Sequence, residues 1–355
     1  MKNGWRLIKL GELCELNYGK ALVAKARNFG NVPVYSSAGV IGVHNVPICE
    51  TEGIIIGRKG SVGTVYYSPV PFFCIDTAFY IKPSEKYDLR FLYYLLTTLN
   101  LNKLNSDSAV PGLNRDNAYS QIFYLPPILK QKEISIFLSE LDNKIELNEK
   151  INQNLEAQAQ AIFKSWFVDF EPFGGKMPAD WKTYKLGEFL PVITGKKNAN
   201  VSSSKGKYPF FSCAQDTAWA DEFSFDANAI LVAGNGDFSV KFYNGKFEAY
   251  QRTYVLIPHN PSFTNWLYYV VKYNLERITS GARGSVIKFI TKGNLEDFSF
   301  FAPRNLDKLT PIDFFNSTNN KIAENKLEIL KLAQLRDALL PKLMSGEIDV
   351  SDVAV

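Results

Sequence analysis

The chain has little of what metal and redox chemistry need: two histidines, His44 and His259, and four cysteines, Cys14, Cys49, Cys74 and Cys213, in 355 residues. No cysteines form a CxxC pair and neither histidine stands at a ligand spacing from another donor, so a zinc site has no raw material and no metal site is expected. The thiols are expected to be reduced and mostly buried. Charge of one sign is also scarce: 40 basic against 36 acidic residues leave +4, which permits local basic faces without pointing to nucleic acid. No sustained apolar run follows Met1 to Leu10, which excludes a signal peptide or membrane span and makes a cytoplasmic location the expectation. The phosphate-cradling GxxxxGK[ST] loop is absent, and Gly195-Lys196-Lys197 does not supply it. Carboxylates such as Asp76 and Glu133 have no recognisable partner, so no catalytic residue is assigned. What the chain does have is 46% hydrophobic and 14% aromatic residues, enough for two ordinary globular domains.

Those domains are copies of each other. Trp5, Lys9, Leu10, Gly11 and Glu12 return as Trp181, Lys185, Leu186, Gly187 and Glu188, at the 176-residue offset from Trp5 to Trp181. At that offset Pro33, Tyr35, Ser36 and Ala38 fall on Pro209, Phe211, Ser212 and Ala214, and Ile54 to Ile56 fall on Ile230 to Val232. Gly60, Thr77, Val110 and Pro127 fall on Gly236, Thr253, Val286 and Pro303, a register read as continuous through the whole domain. One inserted residue later, Asn143, Lys144, Ile145 and Asn148 match Asn320, Lys321, Ile322 and Asn325.

Each copy has two textures. Short β-branched and aromatic runs with glycine punctuation, such as Gly53 to Ile56 and Thr64 to Tyr67, predict strands and turns. Leu89 to Leu101 and Phe263 to Leu275 carry apolar residues at helical spacing. From Lys130 to about Phe167 glycine and proline are nearly missing, and Ile134, Phe137, Leu141, Ile145, Asn148, Leu155 and Ile162 form a stripe. A second stripe, Ile322, Asn325, Ile329, Leu332 and Leu339, runs from Asp313 toward Leu340, where Pro341 is expected to end it. At 1.5 Å per residue these are rods of roughly 40 to 60 Å. Because one helix leaves the first domain and the other leaves the second, pairing the stripes requires the helices to run antiparallel. The expected fold is α+β: two similar sheet-rich domains, residues 1–128 and 175–304, separated by helical spacers, residues 129–174 and 305–355. The two long helices should form an antiparallel coiled coil with approximate two-fold symmetry.

Two similar readers on a rigid spacer suit double-stranded DNA, whose groove orientation repeats about every 34 Å. Since the two domains differ in sequence, the target should be split and non-palindromic. The candidate contact surface is the glycine-bearing loop after the apolar strand: Gly57-Arg58-Lys59-Gly60-Ser61-Val62-Gly63 in the first copy, Gly234-Asn235-Gly236-Asp237 in the second. Glycine lets the backbone approach phosphate, and exchanging Arg58-Lys59 for Gly234-Asn235 moves from guanine-type donors to a mixed donor and acceptor. An exposed hairpin turn with a cationic tip fits the same residues. The remaining candidates are Arg27, Ser36, Asn114 and Arg115 in the first domain, and Lys196, Lys197, Ser212, Arg252, Arg283 and Lys288 in the second. Individually each is as often a solvated surface group, and about half are expected to touch DNA, mostly at phosphate.

The string LDNKIELNEKINQNLEAQAQAIFKSWFVDFEPFGG from Leu141, LRDALLPKLMSGEIDV from Leu335, the loop GRKGSVG and the opening WRLIKLGELCEL resemble the specificity subunits of type I restriction-modification enzymes. That resemblance spans essentially the whole chain. It implies two target-recognition domains and helices that bind two methyltransferase subunits, with restriction subunits joining later. S-adenosylmethionine, ATP and Mg would then be held by the partners, with no cofactor in this chain. An adenine methyltransferase needs Asn/Asp-Pro-Pro-aromatic, whereas Pro126-Pro127 here lies between Leu125 and Ile128; the chain is expected to be non-catalytic. Phe163, Trp166, Phe167, Phe170, Leu339, Leu340 and Leu343 are candidate docking residues for those partners, or else cover the core between helix and domain. A self-sufficient DNA-binding regulator and a protein- or carbohydrate-binding scaffold are the competing readings.

Overall fold

The computed structural model describes residues 4–104, 112–203, 206–284 and 287–353; Val110 and Val286 of the duplication lie outside them. The chain divides into two compact units, Met1–Leu147 with Glu328–Val355, and Asn148–Leu327.

In the first unit, Asn17–Tyr18, Ala78–Ile81, Gly53–Gly57 and Val65–Ser68 form an antiparallel sheet in that spatial order, and Gly39–His44, Val32–Ser36 and Phe73–Cys74 form another. Val32–Ser36 pairs in parallel with Phe73–Cys74. In the second unit, Val192–Thr194, Thr253–Leu256, Phe225–Ala233, Val240–Ala249, Tyr208–Phe211 and Ala218–Ala220 make one six-stranded sheet with the same neighbour order. The difference has a local cause. Val240–Ala249 is a single ten-residue strand, whereas the matching stretch of the first unit contains Pro69 and Pro71. A proline has no N–H for a sheet ladder, so the strand breaks into Val65–Ser68 and Phe73–Cys74. A two-stranded ribbon closes each unit, Arg6–Lys9 with Ile122–Leu125 and Trp181–Lys185 with Ser299–Pro303.

Strand register corrects the continuous alignment read from sequence. Ile56 pairs with Val65 and Val232 with Val240, so the loop between these strands is one residue shorter in the second unit. Gly57 lies opposite Ala78 and Ala233 opposite Thr253; the place of Thr77 is thus held by Arg252, not by Thr253. By the ribbons the offset has grown to 177, since Arg6 pairs with Leu125 and Lys182 with Ala302, which sets Pro303 against Pro126 and not Pro127.

Both long helices form, Ile128–Phe167 and Ile312–Ser345. Of the first stripe, Ile134, Phe137 and Asn148 are buried, and of the second Ile322 and Asn325, as amphipathic spacing requires. Within the first unit Arg336 reaches Asp142 at 2.8 Å and Lys144 reaches Glu328 at 3.7 Å. Within the second, Asn325 Nδ2 donates to Asn152 Oδ1 at 2.9 Å. Going forward along the first helix from Asp142 to Lys144 goes back along the second from Arg336 to Glu328, so the pair is antiparallel. Pro341 does not end the second helix, contrary to expectation. It is exposed on the solvent side, while Leu343 and Met344 one turn on are buried in the first unit's core, so packing outweighs one missing hydrogen bond. Ile348, Val350 and Val353 extend the contact, and Lys130 pairs with Asp349 at 3.0 Å.

Each core lies between sheet and helices. In the first unit Ile54, Ile56, Phe79 and Ile81 meet Phe91, Leu92 and Leu95 of the helix Leu89–Thr98, together with Phe137 and Leu138 of the long helix. Asp88 caps the shorter helix by accepting from Phe91 N at 2.8 Å. The opposite sheet face buries Ile55, Phe72 and Tyr80, which is why Ile54 to Ile56 read as continuously apolar rather than alternating. In the second unit Ile230, Val232 and Leu256 meet Trp266, Leu267 and Val270 of the helix Thr264–Tyr273, with Phe163, Phe167 and Phe315 from the long helices. Cys14, Cys49 and Cys74 are buried free thiols and Cys213 is half-exposed; burial pushes Cys14 and Cys74 up to about 12. Among the described residues no helix is long and apolar enough to cross a membrane and no acidic, histidine or cysteine group could hold a metal ion.

Candidate nucleic-acid interface

The glycine loop of the first unit is built by its backbone. Gly57 N donates to Thr64 O at 2.8 Å, and Arg58 N and Lys59 N both donate to Thr77 O, at 2.9 and 3.0 Å. Thr64 Oγ1 ties the loop to Ser37 O at 2.6 Å and Ser61 O at 2.9 Å. Lys59 pairs with Gly112, and Leu113 N donates to Arg58 O at 2.8 Å, which brings Asn114 and Arg115 beside Arg58 and Lys59. Gly63 is required here: its φ is +74°, and a Cβ would lie 2.2 Å from Asn102 N. Gly63→Ala is therefore expected to destabilise the first unit by more than the about 1–2 kcal/mol of a left-handed residue alone. Gly236→Ala, at φ +71° with open space around it, should cost no more than that. Paired urea titrations check the order.

The guanidinium of Arg58 lies over the rings of Tyr18 (5.2 Å) and Phe79 (5.8 Å), and its Nε and Nη2 donate to Asp76 O at 3.2 and 2.7 Å. Arg115 lies over Tyr18 at 5.3 Å and Tyr119 at 5.8 Å. Lys59 and Ser61 are exposed. Two candidates are committed elsewhere: Ser36 is buried with its hydroxyl accepting from Ala38 N at 3.0 Å, and exposed Asn114 caps a short helix by accepting from Asp116 N at 2.7 Å. Those side chains hold turns. Arg27 packs on the hairpin Val32–Ser36/Gly39–His44 through Ile41 O at 2.8 Å, with its Nε buried and unpartnered.

The second unit assembles the corresponding loop differently. Gly234 N donates to Arg252 O at 2.8 Å and Gly236 N to Lys288 O at 3.0 Å, while Ile290 N donates to Gly234 O at 2.9 Å. Asn235 pairs with Phe289, as does Arg283. Asn235, Asp237, Arg252, Arg283 and Lys288 thus gather at the rim of the sheet where Phe225–Ala233 ends and Thr253–Leu256 begins, beside a cavity of about 300 Å³ lined by Gly234, Gln251, Arg252, Tyr254, Phe289 and Ile290. Gln251 N donates to Lys197 O at 2.9 Å, which adds Lys196 and Lys197 to that rim. Lys197 pairs with Glu222 at 3.3 Å and Lys196 lies over Phe225 at 5.2 Å. Ser212, like Ser36, holds a turn, accepting from Ala214 N at 3.2 Å.

Two aromatic or basic residues escaped the sequence reading. Tyr18 carries both arginines but belongs to no motif, and strand register puts Thr194 in its place in the second copy, so the duplication gave no signal. Lys241 donates to Ala214 O at 2.8 Å, and burial lowers its pKa against the opposing pull of Asp216 and Cys213.

The residues named for docking, or else for covering the core between helix and domain, pack as the second reading has it. Phe163 and Phe167 are buried in the second unit's core, stacked on each other at 5.0 Å, and Phe167 meets Trp181 at 5.6 Å and Trp266 at 6.0 Å. Trp166 packs on Phe173 and Phe170 on Trp181. Leu343 is buried in the first unit's core, with Leu339 and Leu340 half-buried against it. These residues fasten helix to domain; the large apolar side chains the long helices leave exposed are Ile128, Leu129, Ile136, Leu147 and Ile151 on the first, and Leu327, Leu330 and Leu335 on the second.

This duplicated architecture has known counterparts. The S subunit of a type I restriction-modification system from M. genitalium shares the fold, with a TM-score of 0.69, 18% identity, and 97% of both chains covered. Among curated proteins, the chain is 39% identical over 178 residues to the EcoDI specificity subunit of Escherichia coli, covering 49% of this chain but only 40% of that protein. It is 23% identical to the MjaIX specificity subunit of Methanocaldococcus jannaschii over 98% of this chain and 94% of that one. The type I restriction modification DNA specificity domain matches twice, at residues 2–157 and 178–329, and on that match across most of its length the chain belongs to the family of type I restriction-modification DNA specificity subunits.

Proposed function

We propose that the chain reads a split, asymmetric DNA target, one half-site per recognition domain, and delivers partner methyltransferase and restriction subunits to it. The observation that carries this reading is that two units of one topology present chemically different edges. The first offers Arg58, Lys59 and Arg115 beside an aromatic ring; the second offers Asn235 and Asp237 on a shorter loop with Arg252, Arg283 and Lys288. A common scaffold with unlike donors and acceptors is what unlike half-sites require. The domains are taken as residues 1–128 and 175–304, with residues 129–174 and 305–355 as spacers. Exposed Ile136, Leu147, Leu330 and Leu335 give the helices apolar surface for partners. The chain itself is read as non-catalytic, with S-adenosylmethionine, ATP and Mg belonging to the partners.

Co-expression with an adenine methyltransferase subunit, followed by genome-wide mapping of methylated adenine, tests the proposal. A two-part, non-palindromic motif that appears only with this chain is expected. A stable complex that methylates no motif would replace the proposal with a scaffold, and tight specific DNA binding by the chain alone would replace it with an autonomous regulator.

A further inference from the structure

The structure assigns base reading in the first half-site to Arg115, which we propose contacts a guanine with Tyr18 and Arg58 as its positioning residues. This inference rests on the DNA-specificity reading above. The two arginines at the first unit's glycine loop are not equivalent. Arg58 spends its Nε–Nη2 edge on Asp76 O, which leaves it only the Nη1–Nη2 end. Arg115 makes no hydrogen bond or ion pair through its guanidinium among the described residues, and it is held only by the faces of Tyr18 and Tyr119. Among the described residues all five of its donors are unspent, in the planar fork that matches guanine O6 and N7.

The platform beneath it is fixed. Tyr119 accepts from Leu16 N through its hydroxyl at 2.9 Å. Tyr18 pairs with Phe79 in the sheet and meets that ring edge-on at 5.0 Å, yet keeps 50% of its surface exposed. Arg58 lies 5.2 Å from the same Tyr18 ring, so two guanidinium groups share one aromatic side chain. A cation held on aromatic faces loses less freedom on binding than a free surface arginine, which favours specific contact over a diffuse one. Among the described residues the second unit has no such device: Thr194, Gly234 and Lys292 occupy the places of Tyr18, Arg58 and Arg115. The arrangement therefore serves one half-site only.

The test uses the full chain in complex with its methyltransferase partner and duplexes carrying the motif found by methylation mapping, each with one base pair changed. Arg115→Ala is expected to lower discrimination at one G·C pair of one half-site by about 5- to 100-fold and to leave the other half-site untouched. Tyr18→Phe keeps the ring and should match the parent, whereas Tyr18→Ala should lose part of the discrimination at that same pair. Equal weakening on every sequence, with the salt slope reduced by about one, would mark Arg115 as a phosphate contact and overturn the assignment while leaving the DNA-specificity reading intact. Unchanged discrimination in Tyr18→Ala would overturn the positioning role, with Tyr18→Phe and thermal melting as controls for folding. If the parent complex yields no motif, the proposed function fails and this inference with it.

Discussion

Trp266→Ala is expected to destabilise the second unit by about 3–5 kcal/mol, the range for deleting a fully buried large aromatic. Its indole is completely buried and sits edge-on to Phe189 at 5.5 Å, Phe300 at 5.6 Å and Phe263 at 5.9 Å, with Phe167 of the long helix at 6.0 Å. Removing it empties the junction of sheet, short helix and long helix together. Trp266→Phe should behave very differently. The indole Nε1 is buried without a hydrogen-bond partner, a condition that costs about 1–3 kcal/mol, so the phenyl ring loses apolar contact while removing an unsatisfied donor. A net change within about 1 kcal/mol is the expected result from those opposing magnitudes. Urea denaturation followed by circular dichroism separates the two variants; a Phe variant as unstable as the Ala variant would show that ring size alone governs the site.

The second large effect is in the first unit, where Asp142 accepts from Tyr94 at 2.5 Å and from Arg336 at 2.8 Å, linking both long helices and the shorter one. Burial and the bond to Asp142 hold the Tyr94 hydroxyl above its ordinary pKa. Asp142→Ala leaves the phenol without its carboxylate acceptor and the half-buried guanidinium with Asp337 alone, at 2.7 Å. Breaking a fully buried pair costs about 3–5 kcal/mol; with Asp142 and Arg336 side chains 20% and 29% exposed, about 2–3 kcal/mol is expected here. Arg336→Ala should cost less, because Asp142 keeps Tyr94. Thermal melting of both variants gives the order, and the reverse order would place the helix contact in the ion pair alone.

The elements repeated over the longest stretches were legible in the sequence. Asn148 and Asn325 stand on the two helical stripes, and both are buried. The one-residue changes of offset were not legible, because chance identities such as Thr77 with Thr253 masked them; backbone pairing, which sequence does not display, puts Arg252 there instead. Pro341 misled for a related reason. Its helix-breaking tendency is local, whereas the burial of Leu343 and Met344 that overrides it comes from residues far away in sequence. At the candidate interface the loops were visible as glycine patterns, but which side chains are spent internally was not. Ser36, Ser212 and Asn114 read as polar contacts until their backbone partners are seen, and Tyr18 read as nothing at all.

The two units also differ in when they can be completed. Asn148–Leu327 is one unbroken segment, but the first unit includes Glu328–Val355, and Leu343 and Met344 fill its core. During synthesis the head begun first must therefore wait for Glu328–Val355, which follow the whole of the second head. The usual order, in which the N-terminal domain finishes first, is inverted. A chain interrupted near Leu327 would carry a closed second head and a first head with its core open to water, so loss of Glu328–Val355 would injure the unit that starts before Leu147 and spare Asn148–Leu327.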